Sequence, residues 1–463
     1  MGGASLLIRN VTVVDPRGTG TTILPGQDIL IEGPRIIRIA AAEGPPSADR
    51  PGVPPRPEPR PEAGLRVIDG TGMVALPGLI NTHAHAAMVL FRGAAEDVTV
   101  ERWFNEIIWP MESNLTPDDV YWGTLLAAAE MIESGVTTVA DHYFLMDQVA
   151  AALLHSGLRA HLAPTLFGRD LHAELDDSAR IIARYQGAGD GRIRMWLGPH
   201  SPYLCPPDYL RAVAAEAKRA GLGVHLHVSE TAEQVRASLA AHGRTPPAHL
   251  AALGLMDVPV LAAHAAHATE ADIALFAAHG VGVAHCPKTF LKLAAGIAPV
   301  AAMRRAGVAV GLGSDGAASN NTLDLFEQMR LAAMLQKHER RDPTILTLDD
   351  ALAMATVEGA RVLRQEHELG RLAPGYLADI ILIRLEGVHL QPVHDIRAAL
   401  VYAARPGDVD TVVVHGRVLM EGRRLQTIDK AQVIKDIAAR TGRLLETSHG
   451  RRRAVYPGGE RPS

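Results

Sequence analysis

The chain has only two cysteines among its 463 residues, Cys205 and Cys286, and each stands in a Cys-Pro pair. They make no Cys-x-x-Cys motif and cannot staple a chain this long. A disulfide framework and a thiol redox pair are therefore excluded, and two free thiols in a reducing compartment are expected. There is also no large excess of either charge: the net charge of −5 gives no reason to expect a nucleic-acid or membrane-surface partner. No basic-then-apolar leader opens the sequence and no apolar run approaches the length of a membrane span, which predicts a cytoplasmic protein. Finally, no G-x-G-x-x-G opens any helical stretch, which lowers a dinucleotide-binding reading.

What is present is ordinary in bulk and specific in pattern. Apolar residues make up 47% and charged residues 21%, as in a globular protein, and the length exceeds one simple core. Residues 6–14 and 28–40 alternate like β-strands with turn residues between them. Residues 43–64, dense in proline, arginine and glutamate, cannot bury a core and are expected to form a mobile hairpin insertion. From residue 76 to about 366, strand-like runs alternate with Ala-rich helical patterns, for example 121–134 before 136–140 and 209–220 before 224–228. That alternation predicts a parallel sheet closed as a (β/α)8 TIM-type barrel. Beyond residue 367 short strands return, at 379–383, 400–402, 411–415 and 417–420, and the tail from about 447 is expected to be loose. The expected architecture is α/β: a barrel over 76–366, with residues 1–75 and 367–463 joining as a small β-sandwich domain built from both termini.

The informative cluster begins at His83-Ala84-His85, just after the apolar segment 73–80, which reads as one strand ending in the pair. Imidazoles one residue apart on a strand face the same way, and neutral imidazole is a standard metal ligand. Among 21 histidines one such pair could arise by chance, so its weight depends on what lies at the ends of other strands. His225 and His227 lie in Val224-His-Leu-His-Val-Ser-Glu230, with His227 nearer the C-terminal end. His264 ends the apolar run 258–263, and Asp315 follows Val308-Ala-Val-Gly-Leu-Gly-Ser314. Barrel chemistry collects at the C-terminal ends of strands, and four strands present His or Asp there. Three histidines and one aspartate leave a zinc-type ion an open position for water, whose pKa falls from ~16 toward ~7. Glu230 is placed to move the proton and His264 to polarise the water or steady the tetrahedral centre. Asp315 would hold the metal and share the proton. The strand stretches 159–165 and 194–197 contain no lysine to bridge a second ion, which favours one ion. The thiolate zinc signature of base-flipping deaminases is absent.

At these residues the sequence resembles the amidohydrolase superfamily. Within it the chain is similar to the branch of S-adenosylhomocysteine and 5′-methylthioadenosine deaminases, related to s-triazine chlorohydrolases and guanine deaminases. The resemblance runs almost end to end, through Leu76-Pro-Gly-Leu-Ile-Asn-Thr-His-Ala-His85, Gly198-Pro-His-Ser-Pro-Tyr203, His225-Leu-His-Val-Ser-Glu230, Gly313-Ser-Asp-Gly-Ala-Ala-Ser-Asn-Asn321 and Gly370-Arg-Leu-Ala-Pro-Gly-Tyr-Leu-Ala-Asp379. It implies that His83, His85, His227 and Asp315 bind one divalent ion, zinc before iron or manganese. Glu230 then shuttles protons, with His264 beside the hydrolytic water. It further implies that Glu112, in Trp109-Pro-Met-Glu112, reaches a substrate ribose, and that His200 contacts the substrate. The bland alternative for Glu112 is a solvated acid at a helix entry.

The pattern departs from the branch in one respect. Adenosylhomocysteine-directed members hold the amino-acid carboxylate with arginines after the third strand, where this chain has Pro164; Arg169 and Arg180 lie nearby and could substitute. His142 is expected to be packed in its loop unless it faces the pocket, and His285 to be structural or to support the ligands. The leading expectation is hydrolytic deamination of an adenine nucleoside: adenosine, 5′-deoxyadenosine, methylthioadenosine or adenosylhomocysteine. The alternative is another heterocycle on the same metal, such as guanine, a pterin or an s-triazine. A non-catalytic scaffold would show a degenerate ligand or lack Glu230, and neither is seen. The partner expected is a small molecule, with a symmetric homo-oligomer left open.

Overall fold

A computed structural model describes residues 5–42 and 65–445. The insertion expected at 43–64 and the tail from about 447 lie outside the described residues. Segments from both ends of the chain build one nine-stranded sheet. Its order is Arg424–Leu425, Arg417–Glu421, Val409–Val414, Ile380–Arg384, Met73–Pro77, Ser5–Pro16, Thr21–Glu32 and Arg35–Ala41, with Leu65–Asp69 alongside Ser5–Pro16. Ser5–Pro16 runs parallel to Leu65–Asp69 and Met73–Pro77, and the other pairs are antiparallel. Ile8, Ile29, Ile31, Ile380 and Val413 share its apolar cluster, so residues more than 340 apart in sequence are packed by β-branched side chains suited to a pleated surface.

The middle of the chain forms two parallel sheets. One contains Leu79–His85, Val136–Tyr143, Arg159–Leu166, Ile193–Met195, Gly198–Pro199 and Asp315–Gly316. The other runs Val224–Val228, Val260–His264, Gly282–His285 and Ala309–Leu312. A parallel bridge from Leu197 to Val224 joins them on one side. On the other side, Ala309–Leu312 passes through Gly313 and Ser314 directly into Asp315–Gly316, which pairs with Leu79–His85. Val136–Tyr143 is buried at every position, as expected of parallel strands covered by helices. The helices between strands are delimited by local chemistry. Thr116, Thr231 and Thr269 make reciprocal capping boxes with Asp119, Gln234 and Asp272. Gly157, Gly221, Gly243 and Gly280 close helices in the left-handed conformation.

Two local expectations are corrected. The apolar run 73–80 was expected to lead as one strand into His83; it is instead two strands in two different sheets, Met73–Pro77 and Leu79–His85. Gly78 separates them, and a Cβ there would lie 2.1 Å from Thr137 Oγ1, so only glycine fits the crossing. Residues 400–402, expected as a strand, belong to the π-helical turn Ala399–Ala403. Asp395 caps the short helix leading into it by accepting from Arg397 N, and that local bond prevails over the apolar run's β-propensity. No helix among the described residues is long and apolar enough to cross a membrane.

Candidate active site

The C-terminal ends of four strand segments converge on one point. His83 and His85 close Leu79–His85 with their rings 4.8 Å apart, and His227 stands on Val224–Val228 with its ring 5.1 Å from His83 and 5.3 Å from His85. His264 is the last residue of Val260–His264, 5.2 Å from His83, and Asp315 lies three residues past the end of Ala309–Leu312, where it begins the two-residue segment Asp315–Gly316. Where these strands end the backbone turns sharply: Ser229, His264, Ala265 and Asp315 all adopt positive φ, at 50°, 76°, 49° and 57°. Non-glycine residues enter that region at a cost, and its concentration here is the signature of a functional site.

The donor set fits a cation. Nδ1–H of His85 donates to the His142 carbonyl at 2.5 Å, and Nδ1–H of His227 donates to the His200 carbonyl at 2.8 Å. A carbonyl can only accept, so each neutral ring carries its hydrogen on Nδ1. The two Nε2 lone pairs then face one another at 3.3 Å, which is repulsive unless a positive ion draws both. Nε2 of His83 is buried without a hydrogen-bond partner, 3.5 Å from Asp315 Oδ1, and Nε2 of His85 is 3.3 Å from the same oxygen. Overlapping triads, His83–His85–Asp315, His83–His227–His264 and His85–His142–His227, each bring their ligand atoms within 4.8 Å of one another. Burial opposes ionisation of Asp315, but the imidazoles of His83, His264 and His85 close to it hold the carboxyl well below its usual range. Burial pushes His83 far down and His227 and His264 down to about 4, so these rings are neutral and able to donate lone pairs. The second oxygen of Asp315 accepts from Thr289 Oγ1 at 3.0 Å and Ser319 Oγ at 2.7 Å.

Glu230 follows the same strand as His227, buried, with Oε1 3.8 Å from Nε2 of His264. Its backbone N–H donates to Gln234 Oε1 and its Oε2 accepts from Gln234 Nε2 at 3.3 Å. Burial raises its pKa, as suits a group that must hold and release a proton near neutrality. His225, left open beside His227 by the sequence, lies behind the cluster: its Nε2 is 2.8 Å from Nδ1 of His83 and fixes that ring. That role was not legible in advance, since it depends on two strands meeting across 142 residues.

One cavity is lined by His85, His227, Glu230, His264 and Asp315 together with Glu112 and His200. Glu112 is therefore not a freely solvated acid. Burial raises its pKa to about 7, opposed by the hydroxyl of Tyr143, which donates to its Oε1 at 2.6 Å. His200 stacks on His227 at 4.6 Å. The remaining wall is aromatic, from Trp103, Phe104, Trp109, Phe144 and Phe167, and among the described residues no lysine or arginine lines the cavity. Arg169 lies over the Phe167 ring at 4.9 Å and is exposed. Arg180 is paired with Asp147 and Asp177 on the surface. His142 lines the cavity and is also packed: Nε2–H donates to the Gly198 carbonyl at 3.1 Å and Nδ1 accepts from Thr165 Oγ1 at 3.3 Å. His285 is fully buried with both ring nitrogens unpartnered, and lies beside Phe290 at 5.6 Å.

Comparisons with known proteins agree with this geometry. Residues 74–419 match the Amidohydrolase family. A protein of Pelotomaculum thermopropionicum named 5-methylthioadenosine/S-adenosylhomocysteine deaminase is 45% identical over 444 residues, covering 96% of this chain and 99% of the relative. A crystal structure of an adenosine deaminase from Xanthomonas campestris with bound zinc superposes with a TM-score of 0.87 at 32% identity, covering 95% of this chain and 98% of that one. Atrazine chlorohydrolase from Arthrobacter aurescens, complexed with zinc, superposes with a TM-score of 0.82 at 29% identity, covering 95% and 100%. Neighbours of this kind imply a TIM-barrel type fold with mixed α/β content, in keeping with the parallel sheets. The chain belongs to the amidohydrolase family.

Proposed function

We propose that this protein is a metal-dependent hydrolytic deaminase of adenine nucleosides. The reading rests above all on one arrangement: Glu230, His264 and Asp315 share a cavity with Glu112. The first three suit water activation, the last suits a sugar diol. The relative named methylthioadenosine/adenosylhomocysteine deaminase and the zinc-bound adenosine deaminase support it.

The strand pairings support a closed barrel over 76–366, in which the bridge Leu197–Val224 and the pairing of Asp315–Gly316 with Leu79–His85 join the two parallel sheets. The shared apolar cluster supports a sandwich-like domain from 1–75 and 367–463. His83, His85, His227 and Asp315 would hold one divalent ion; zinc is favoured by the zinc-bound neighbours and by three nitrogen donors with one oxygen. Such an ion supplies Lewis acidity that lets a water lose its proton near neutral pH. Glu230 takes that proton and delivers it to a ring nitrogen. The second proton, from the hydroxyl then on the tetrahedral carbon, passes through Asp315 and Glu230 to the departing amine, which leaves as ammonia, while His264 steadies that oxygen. Glu112 accepts from the 2′ and 3′ hydroxyls, and His200 contacts the base. Water and the adenine nucleoside thus give the inosine analogue and ammonia.

The test is an ammonia-release screen of the zinc-replete protein. Adenosine, 5′-deoxyadenosine, methylthioadenosine and adenosylhomocysteine are compared with guanine and a chloro-triazine. Turnover of at least one adenine nucleoside is expected. The cation-free lining predicts that methylthioadenosine is preferred to the carboxylate-bearing adenosylhomocysteine. Turnover confined to guanine or triazine would overturn the nucleoside reading, because a bare heterocycle leaves Glu112 without a partner.

A further inference from the structure

Glu112 lines the cavity together with Glu230 and Asp315, and it sits at the end of an irregular segment. Trp103–Ile108 is a π-helical turn and Trp109–Glu112 a short helix that follows it. Such a segment places a side chain less firmly than a strand does, and π-turns recur at functional sites. The carboxylate is nevertheless held, by a residue of another element. Tyr143 is the last residue of the strand Val136–Tyr143; it is 3% exposed, stacks on Phe144 at 4.4 Å, and donates its hydroxyl to Glu112 Oε1 at 2.6 Å. Both side chains line the same cavity.

We propose that Tyr143 is a specificity-determining positioning residue: by fixing the Glu112 carboxylate it makes the enzyme select a sugar with intact 2′ and 3′ hydroxyls. This rests on the deaminase reading above. A carboxylate offers four lone-pair positions, and a free one rotates among them. The Tyr143 hydroxyl occupies one position on Oε1 and so fixes the carboxylate plane. The remaining positions, one on Oε1 and two on Oε2, point away from the tyrosine, where two vicinal hydroxyls can be accepted together. The same bond favours the charged carboxylate, which is the form able to accept from both, and a fixed acceptor rejects a substrate that lacks a donor more strongly than a rotating one does. The Tyr143 hydroxyl donates to Glu112, and its ring, 6.2 Å from that of His85, makes no hydrogen bond to it, so the effect of Tyr143 belongs in binding of the sugar rather than in the chemical step.

The experiment compares wild type, Y143F, E112A and E112A/Y143F for ammonia release from adenosine, 2′-deoxyadenosine and 3′-deoxyadenosine. In Y143F the KM for adenosine is expected to rise about tenfold, the size of one hydrogen bond to a charged group, with kcat within about twofold. The KM values for the two deoxy sugars should move much less, so the preference for the intact diol shrinks by about the same tenfold factor. In the E112A background, adding Y143F should change neither constant. The proposal is overturned if Y143F keeps the full preference. It is also overturned if all three substrates suffer alike, or if Y143F still costs as much without Glu112. A wild-type enzyme inactive on all three and also on 5′-deoxyadenosine, methylthioadenosine and adenosylhomocysteine would overturn the deaminase reading and this inference together; where only those further nucleosides turn over, the same comparison is made with their 2′- and 3′-deoxy forms. Activity in wild type with unchanged discrimination in Y143F would overturn this inference alone.

Discussion

The two walls of the cavity are built on different principles. The wall of His85, His227, His264 and Asp315, with His83 behind it, stands on the ends of buried strands, each held by ladder bonds to its neighbours. Its side chains are fixed by backbone carbonyls and by His225, Thr289 and Ser319. The rest of the wall is largely aromatic, partly carried by the helical segment 100–112, and its carboxylate, Glu112, accepts a hydrogen bond from Tyr143. A site that must hold a cation and move protons needs the first kind of support, since small displacements there cost rate. A site that must admit and release a sugar is better served by the second.

The largest effect should come from the rigid wall. Glu230→Gln keeps the shape and the bond to Gln234 but cannot carry a proton; kcat should fall by about 10³-fold or more while the metal content stays at the wild-type level. Near-normal turnover in that variant, with zinc bound, would remove Glu230 from the mechanism. Next in size is Asp315→Asn, in which the amide tolerates the positive φ but the anionic donor is lost. Metal affinity should drop by at least about 100-fold, since changes to mere supporting residues already cost 10–100-fold. Zinc retained per chain after dialysis checks this, as does a thermal midpoint that no longer rises on adding zinc.

The smallest effect sharpens the contrast from the other wall. Burial lifts Glu112 to about 7, with the Tyr143 hydroxyl and the His85 imidazole opposing. Its carboxyl is therefore protonated below that pH and charged above it. Only the charged form accepts two hydroxyls, so KM for adenosine should rise several-fold as pH falls from about 8 to about 6. Glu112→Gln should abolish that slope in KM while leaving the pH profile of kcat in place. A kcat profile that changed with it would join the two walls into one unit.

The same division explains what could be read from the sequence. His83, His85, His227, His264, Glu230 and Asp315 were legible because strand ends are marked by the end of an apolar run, and barrel chemistry gathers there. Their meeting in space follows from the alternation of strand and helix. Glu112 was named only through the family resemblance, because nothing local distinguishes it from a solvated acid. Tyr143 and His225 went unread: each acts through a partner in a different element, 31 and 142 residues away. The turn 399–403 was missed because Leu400, Val401 and Tyr402 favour a strand, whereas the cap at Asp395 that decides the matter lies upstream. The run 73–80 reads as one strand because the crossing at Gly78 is set by Thr137, a distant neighbour.

That crossing bears on how the molecule comes apart. A single residue separates a strand of the terminal sheet from the strand that ends in His83 and His85. Gly78 N–H donates to the Asp379 carbonyl at 2.9 Å, and the Asp379 carboxylate takes both a 2.8 Å and a 3.1 Å bond from buried Arg159 of the parallel sheet. Pulling the sheets apart would strand a buried charge on each side. The junction is a weld, with no slack for one part to melt while the other persists. Cooperativity should therefore extend across it, so that a cation captured among the histidines protects Ser5–Pro16 against hydrogen exchange as surely as it protects its own ligands.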